Sequence, residues 1–101
     1  LNIKSGEIMY CIKSYIILKP EGIDTLKEKR SIVKTLINAL RKNFQLSVME
    51  YGELDSKKFI GILYAQVSDS KDYLLKSSEN IEIFIEEKYG LEIYSNDYDI
   101  F

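Results

Sequence analysis

Five cations crowd one stretch of this chain: Lys27, Lys29, Arg30, Lys34 and Arg41. On a helix, Lys27, Arg30, Lys34 and Arg41 fall within an arc of about 60°, with Lys29 on the opposite flank. Such a ridge can track a phosphate backbone, because each cation that neutralises a phosphate releases counterions. It can equally be a solvated helix face, since lysine and arginine are good helix formers. A third reading pairs these cations with acids of a later helix such as Glu82 or Glu86. No other constellation suggests bond-making chemistry. Histidine is absent, which removes Ser-His-Asp and Cys-His nucleophiles and histidine-based zinc sites. The single cysteine, Cys11, cannot build a thiolate site alone and reads as a packed strand residue. No acidic stretch has the spacing of a calcium-binding loop. The sequence therefore predicts no catalytic residue, no metal ligand and no cofactor.

The elements that would position the ridge follow from periodicity and punctuation. Met9 to Lys19, rich in Ile, Tyr and Leu, reads as a strand, and Pro20-Glu21-Gly22 breaks it. Thr25-Leu26-Lys27-Glu28 has the form of a capping box. Leu26, Val33, Leu36, Ile37, Leu40 and Phe44 then recur at helical spacing, with Asn43 as the expected stop. Phe44 to Tyr51 predicts a second strand, Gly52 to Lys58 a polar connection, and Phe59 to Val67 the strongest strand of the chain. Ser68-Asp69-Ser70 offers N-caps for a second helix with Leu74, Ser77, Ile81, Phe84, Ile85 and, at its end, Tyr89 inward, and Gly90 closes it. Leu91 to Tyr94 is a short last strand before an acidic tail with Asp97, Asp99 and Phe101, which reads as solvated or docked on a partner. The order β-α-β-β-α-β, with right-handed crossovers, predicts an α+β, ferredoxin-like domain: a four-stranded antiparallel sheet with both helices on one face. Residues 9–101 form this single domain, and residues 1–8 read as an N-terminal extension ahead of a natural start at Met9.

Two helices cover one face of such a sheet, and alternation assigns the other. Placing Ile12, Ile16, Leu18, Leu46, Val48, Phe59, Leu63, Ala65 and Val67 under the helices leaves Tyr15, Ile17, Met49, Tyr51, Ile60, Ile62 and Tyr64 on the open face. That set is too apolar for a solvated face and marks a contact surface. Homodimerisation, a different protein partner or a segment of the same chain, or a base-stacking surface would each use it. The last fits poorly, since Lys58-Phe59-Ile60-Gly61-Ile62-Leu63-Tyr64-Ala65 puts aliphatic residues where stacking rings are needed.

The chain has 101 residues and a formal net charge of −2, distributed unevenly. Residues 1–60 hold eleven Lys and Arg against seven Asp and Glu; residues 61–101 hold three against nine. A dipolar molecule is expected instead of a uniformly basic one. No apolar run is long enough to span a bilayer, and the start of the chain has no signal-like apolar region. A reducing, cytoplasmic setting without membrane contact is the expectation.

Thr25-Leu26-Lys27-Glu28-Lys29-Arg30, followed by Ser31-Ile32-Val33-Lys34, resembles the Ser-Leu-Lys-Glu-Lys-Arg motif of the YlxP-like proteins, small bacterial proteins of unknown function. The resemblance extends through Phe44-Gln45-Leu46-Ser47-Val48-Met49-Glu50, Gly52 and the strand around Gly61. Thr25 replaces the family's usual serine and keeps the cap chemistry. The loop of residues 53–58 is shorter than usual and lacks the tryptophan often found there. The resemblance implies a ferredoxin-like fold. Through gene neighbourhoods near translation initiation and ribosome maturation factors, it also implies a role on ribosomal RNA or an assembling ribosomal particle. The expected function is a non-enzymatic, homodimeric binding module. Its expected nucleic-acid-binding residues are Lys27, Lys29, Arg30, Lys34 and Arg41, and its open sheet face serves as interface. A protein-interaction or small-molecule-sensing domain is the alternative. Acylphosphatases share the topology, but their phosphate cradle needs an arginine after the first strand, where this chain has Pro20-Glu21-Gly22-Ile23-Asp24.

Overall fold

The computed structural model describes residues 9–101; the expected extension, residues 1–8, lies outside them. The elements run β1 (Tyr10–Lys19), α1 (Leu26–Phe44), β2 (Ser47–Glu50), β3 (Ile60–Ser68), α2 (Lys71–Tyr89) and β4 (Glu92–Ile100). The sheet order is β2-β3-β1-β4, and every neighbouring pair is antiparallel. This is the ferredoxin-like arrangement, an open α+β sandwich of one sheet and two helices.

Local chemistry sets the helix ends. The Thr25 hydroxyl accepts from the Glu28 amide (3.1 Å), and Glu28 Oε2 accepts from the Asp24 amide (3.3 Å), a reciprocal cap at the start of α1. Ser70 caps α2 by accepting from the Tyr73 amide, and Gly90 ends it in a left-handed conformation. The first helix runs past Asn43, whose amide bonds back to the Ala39 carbonyl (2.7 Å). Gln45 takes the left-handed position instead (φ 48°), and Gln66 donates to the Phe44 carbonyl (2.9 Å). Tertiary hydrogen bonding thus overrides the local stop signal. The second strand is correspondingly short, and Phe44 belongs to the helix.

Ile12, Ile16, Leu18, Leu36, Leu40, Ile60, Ile62, Leu74, Ile81 and Ile85 are fully buried between sheet and helices. Each such side chain contributes about 1.5–3 kcal/mol of burial before entropy is counted. Here the alternation expected for β3 is inverted. Ile62 lies opposite Ile16 and Tyr64 opposite Ser14, and antiparallel partners share a face. Ile60, Ile62 and Tyr64 therefore point at the helices, and Leu63, Ala65 and Val67 at the open side. Gly61 shows why. A Cβ there would run into the Tyr51 carbonyl and the Tyr15 hydroxyl, so the glycine belongs on the face where those two tyrosines sit. Phe59 precedes the strand and packs against Tyr94 (5.0 Å between ring centroids) instead of entering the core.

The acidic tail keeps Asp97, Asp99 and Phe101 exposed, but it is not an appendage after a short last strand. It forms β4, pairing Tyr15 with Asp97 and Lys13 with Asp99. Asn96 pins it from the helix side: its amide oxygen accepts from Ser14 Oγ (2.5 Å) and its nitrogen donates to Glu82 Oε2 (3.1 Å). Tyr64 OH points into the same polar knot beside Ser14 and Ser78 without closing a well-formed hydrogen bond. Burial raises its pKa above the usual tyrosine value.

Candidate nucleic-acid interface and the open sheet face

The five sequence-predicted cations separate into two kinds. Lys29 is fully buried. Its ammonium donates to the carbonyls of Glu53 and Ser56, the latter at 2.6 Å, and lies 3.9 Å from Glu50 Oε2. Burial pulls its pKa below the ordinary lysine value, against the opposing pull of Glu50, Glu53 and Asp55. Lys29 is thus a clamp between α1 and the β2–β3 connection, and it cannot meet a nucleic acid. Helical spacing placed it on the flank opposite the ridge, but nothing in the sequence said that the connection would fold over that flank.

Lys27, Arg30, Lys34 and Arg41 are exposed. Among the described residues none forms an ion pair; the two that occur are Lys29–Glu50 and Lys76–Glu79. Glu82 accepts from Asn96, so the expected pairing of the ridge with α2 does not form. Arg30, Lys34, Asn38 and Arg41 instead line a groove between α1 and the β2 edge, floored by Val33 and Ile37 and closed by Met49 and Glu50. Arg41 Nη2 donates to the Val48 carbonyl (2.9 Å). That bond fixes the guanidinium while leaving donors of its fork facing solvent. Lys27 lies one turn before Arg30, beyond the groove residues. The arrangement can hold anionic oxygens along one helix flank.

The open face differs from expectation in its β3 residues and in the β4 carboxylates Asp97 and Asp99 that join it. Tyr15, Ile17, Met49 and Tyr51 are joined by Leu63, Ala65 and Val67, replacing Ile60, Ile62 and Tyr64. Tyr15 and Tyr51 meet edge-to-face (5.8 Å between centroids) over the space left by Gly61. Met49, Tyr51 and Val67 are more than half exposed. A hollow on this face is lined by Lys13, Tyr15, Tyr51, Leu63, Asp97 and Asp99, so an apolar centre is flanked by one cation and two carboxylates. Cys11 is half-buried in β1. Among the described residues no three His, Cys, Asp or Glu side chains gather as metal ligands would, and no helix is long and apolar enough to cross a membrane.

Comparison with known proteins matches the chain to a family profile described as "Protein of unknown function (DUF503)" over residues 14–98. No curated protein matches it. Among solved structures it is similar to the de novo designed protein Foldit4, with a TM-score of 0.51 and 11% identity over 93% of this chain and 97% of that one. At that identity the likeness concerns the fold alone.

Proposed function

This chain belongs to that family of proteins of unknown function, and from its own geometry we propose a non-enzymatic binding module that docks on RNA through the α1 flank. The observation that carries the reading is the groove beside β2. Arg30, Lys34 and Arg41 share one helix flank, paired with no carboxylate among the described residues, with the Arg41 guanidinium held in place by the Val48 carbonyl. Cations that no carboxylate neutralises are free to exchange bound counterions for phosphates, which is the main source of non-specific nucleic-acid affinity. Lys27 extends the flank toward the N-terminus of α1. The resemblance to YlxP-like proteins supports a ribosomal particle as the RNA, in a cytoplasmic setting.

A second copy of the chain covers the open sheet face in this reading. An isologous interface must be self-complementary. Lys13 stands directly opposite Asp99 in the β1–β4 ladder, with Asp97 beside Tyr15, so the rim of the apolar centre carries both signs. The same carboxylates repel phosphate, which sets this face apart from the base-stacking sheets of RNA-recognition domains.

Co-sedimentation of the tagged protein with ribosomal particles, at low and moderate salt, tests the proposal. The expected result is association with a subunit particle that weakens as salt rises and is abolished by Lys27→Glu with Arg30→Glu at unchanged melting temperature. A protein that stays at the top of the gradient at low salt removes the RNA reading and leaves a protein-interaction or small-molecule-sensing domain.

A further inference from the structure

The two edges of the sheet are finished differently. Ladder alternation assigns the free groups. Tyr51 N donates to Gly61 O across β2 and β3, which turns the backbone groups of Val48 and Glu50 outward. The outward Val48 carbonyl is taken by Arg41, so β2 is short and capped. At the other edge Cys11 and Phe101 exchange both backbone bonds (2.6 and 2.9 Å). Counting back in steps of two, Asp99 and Asp97 bond inward to β1, and the N–H and C=O groups of Asn96, Tyr98 and Ile100 face out. Among the described residues no side chain or backbone group bonds to them. An unpaired ladder of this length is a template for an added strand.

The surroundings say which strand fits. In an added strand, residues opposite Asp97 and Asp99 occupy the non-hydrogen-bonded positions, where cross-strand side chains come closest. Residues opposite Asn96, Tyr98 and Ile100 turn to the helix side, against the half-exposed Tyr98 ring. Glu79, Glu82 and Glu86 on α2 line one further hollow, with Glu82 bonded to Asn96 of the edge strand itself. Pairing β4 with its own copy about a twofold axis would set Asp97 and Asp99 against their counterparts, which is unfavourable.

We propose that the β4 edge captures an extended segment of a partner protein as a fifth strand, with lysine or arginine at alternate positions facing Asp97 and Asp99 and apolar residues between them. This edge lies across the sheet from the basic flank, so the inference stands without the RNA reading.

The test uses the full chain, labelled for NMR, and an end-blocked peptide of alternating lysine and valine as probe. The expected result is a shift and exchange protection of the Asn96, Tyr98 and Ile100 amides. Affinity should fall about tenfold for Asp97→Asn with Asp99→Asn, which preserves side-chain shape while removing two close charge pairs. A glutamate–valine peptide should not bind. N-methylation of the ladder-forming peptide amides should abolish binding as well. Binding that survives N-methylation would show charge attraction without strand addition and overturn the proposal. Perturbation centred on β2, concentration-dependent self-pairing through β4, or no binding would overturn it too.

Discussion

The flank built from α1 and β2 and the flank built from α2 and β4 use the same scaffold to opposite ends. Both are a helix of nineteen residues beside an edge strand. The first is basic, and its strand has four residues with an arginine on the outward carbonyl. The second is acidic, and its strand has nine residues with an open ladder. The charge asymmetry between the two halves of the sequence thus becomes an asymmetry between two edges of one sheet. A dipolar chain of nearly balanced charge can in this way present one side to anions and the other to cations.

Within the first flank the sharpest contrast is between Lys29 and its neighbours, and three substitutions bear on it and on the faces it separates. Lys29→Met should have the largest effect on that flank. It leaves the Glu53 and Ser56 carbonyls and the Glu50 carboxylate without their cation, a loss of about 3 kcal/mol measured by denaturant unfolding. Retention of wild-type stability would show that the clamp is dispensable. Leu63→Lys should come next: it places a charge at the centre of the open face. A shift from dimer to monomer by analytical ultracentrifugation is expected, with a change in unfolding free energy of about 0.5 kcal/mol or less for the monomer. Ile62→Lys, one residue away, should unfold the chain, because its side chain enters the core. Equal behaviour of the two would refute the alternation of β3.

Tyr64→Phe should have the smallest effect at neutral pH, because the hydroxyl it removes closes no well-formed hydrogen bond. Its signature is alkaline. The folded pKa of Tyr64 is raised above 10.0 by burial. The unfolded chain therefore ionises first, and the stability this proton provides is present below pH 10 and lost as pH rises through the folded value. Lys29, with a lowered folded pKa, works in the opposite sense: its penalty is relieved as pH rises toward 10.5. Thermal unfolding followed between pH 9 and 11 should show a shallower loss in Tyr64→Phe than in the parent. An unchanged slope would place the titrating group elsewhere.

Much of this architecture was legible in the sequence because local signals and global fold agree. The Thr25–Glu28 box, the Ser70 and Gly90 caps and the alternation of Ile12, Ile16 and Leu18 all survive into the structure. What escaped was decided by contacts distant in sequence. The phase of β3 hung on whether Phe59 or Ile60 began the inward set, and only the pairing of Ile16 with Ile62 and the space Gly61 leaves for Tyr15 settle it. The Gly61 position was itself the available signal, since a glycine seldom fills a core between two isoleucines. Likewise β4 was hidden by its charges. Asp97 and Asp99 are tolerated because they face the open side, while Asn96, Tyr98 and Ile100 turn inward, an alternation readable once the tail is treated as strand. For Lys29 no sequence signal distinguishes a buried ammonium from an exposed one.

The claim that the α1 flank holds phosphates is tested most directly by the salt dependence of binding to a short RNA duplex. The parent and Arg30→Glu with Lys34→Glu would be titrated by fluorescence anisotropy. Binding by the parent should weaken steeply with salt, and the double variant should lose about two phosphate contacts from the log–log slope while keeping its melting temperature. Identical slopes and affinities in the two proteins would contradict the account and leave the basic flank a solvated helix face.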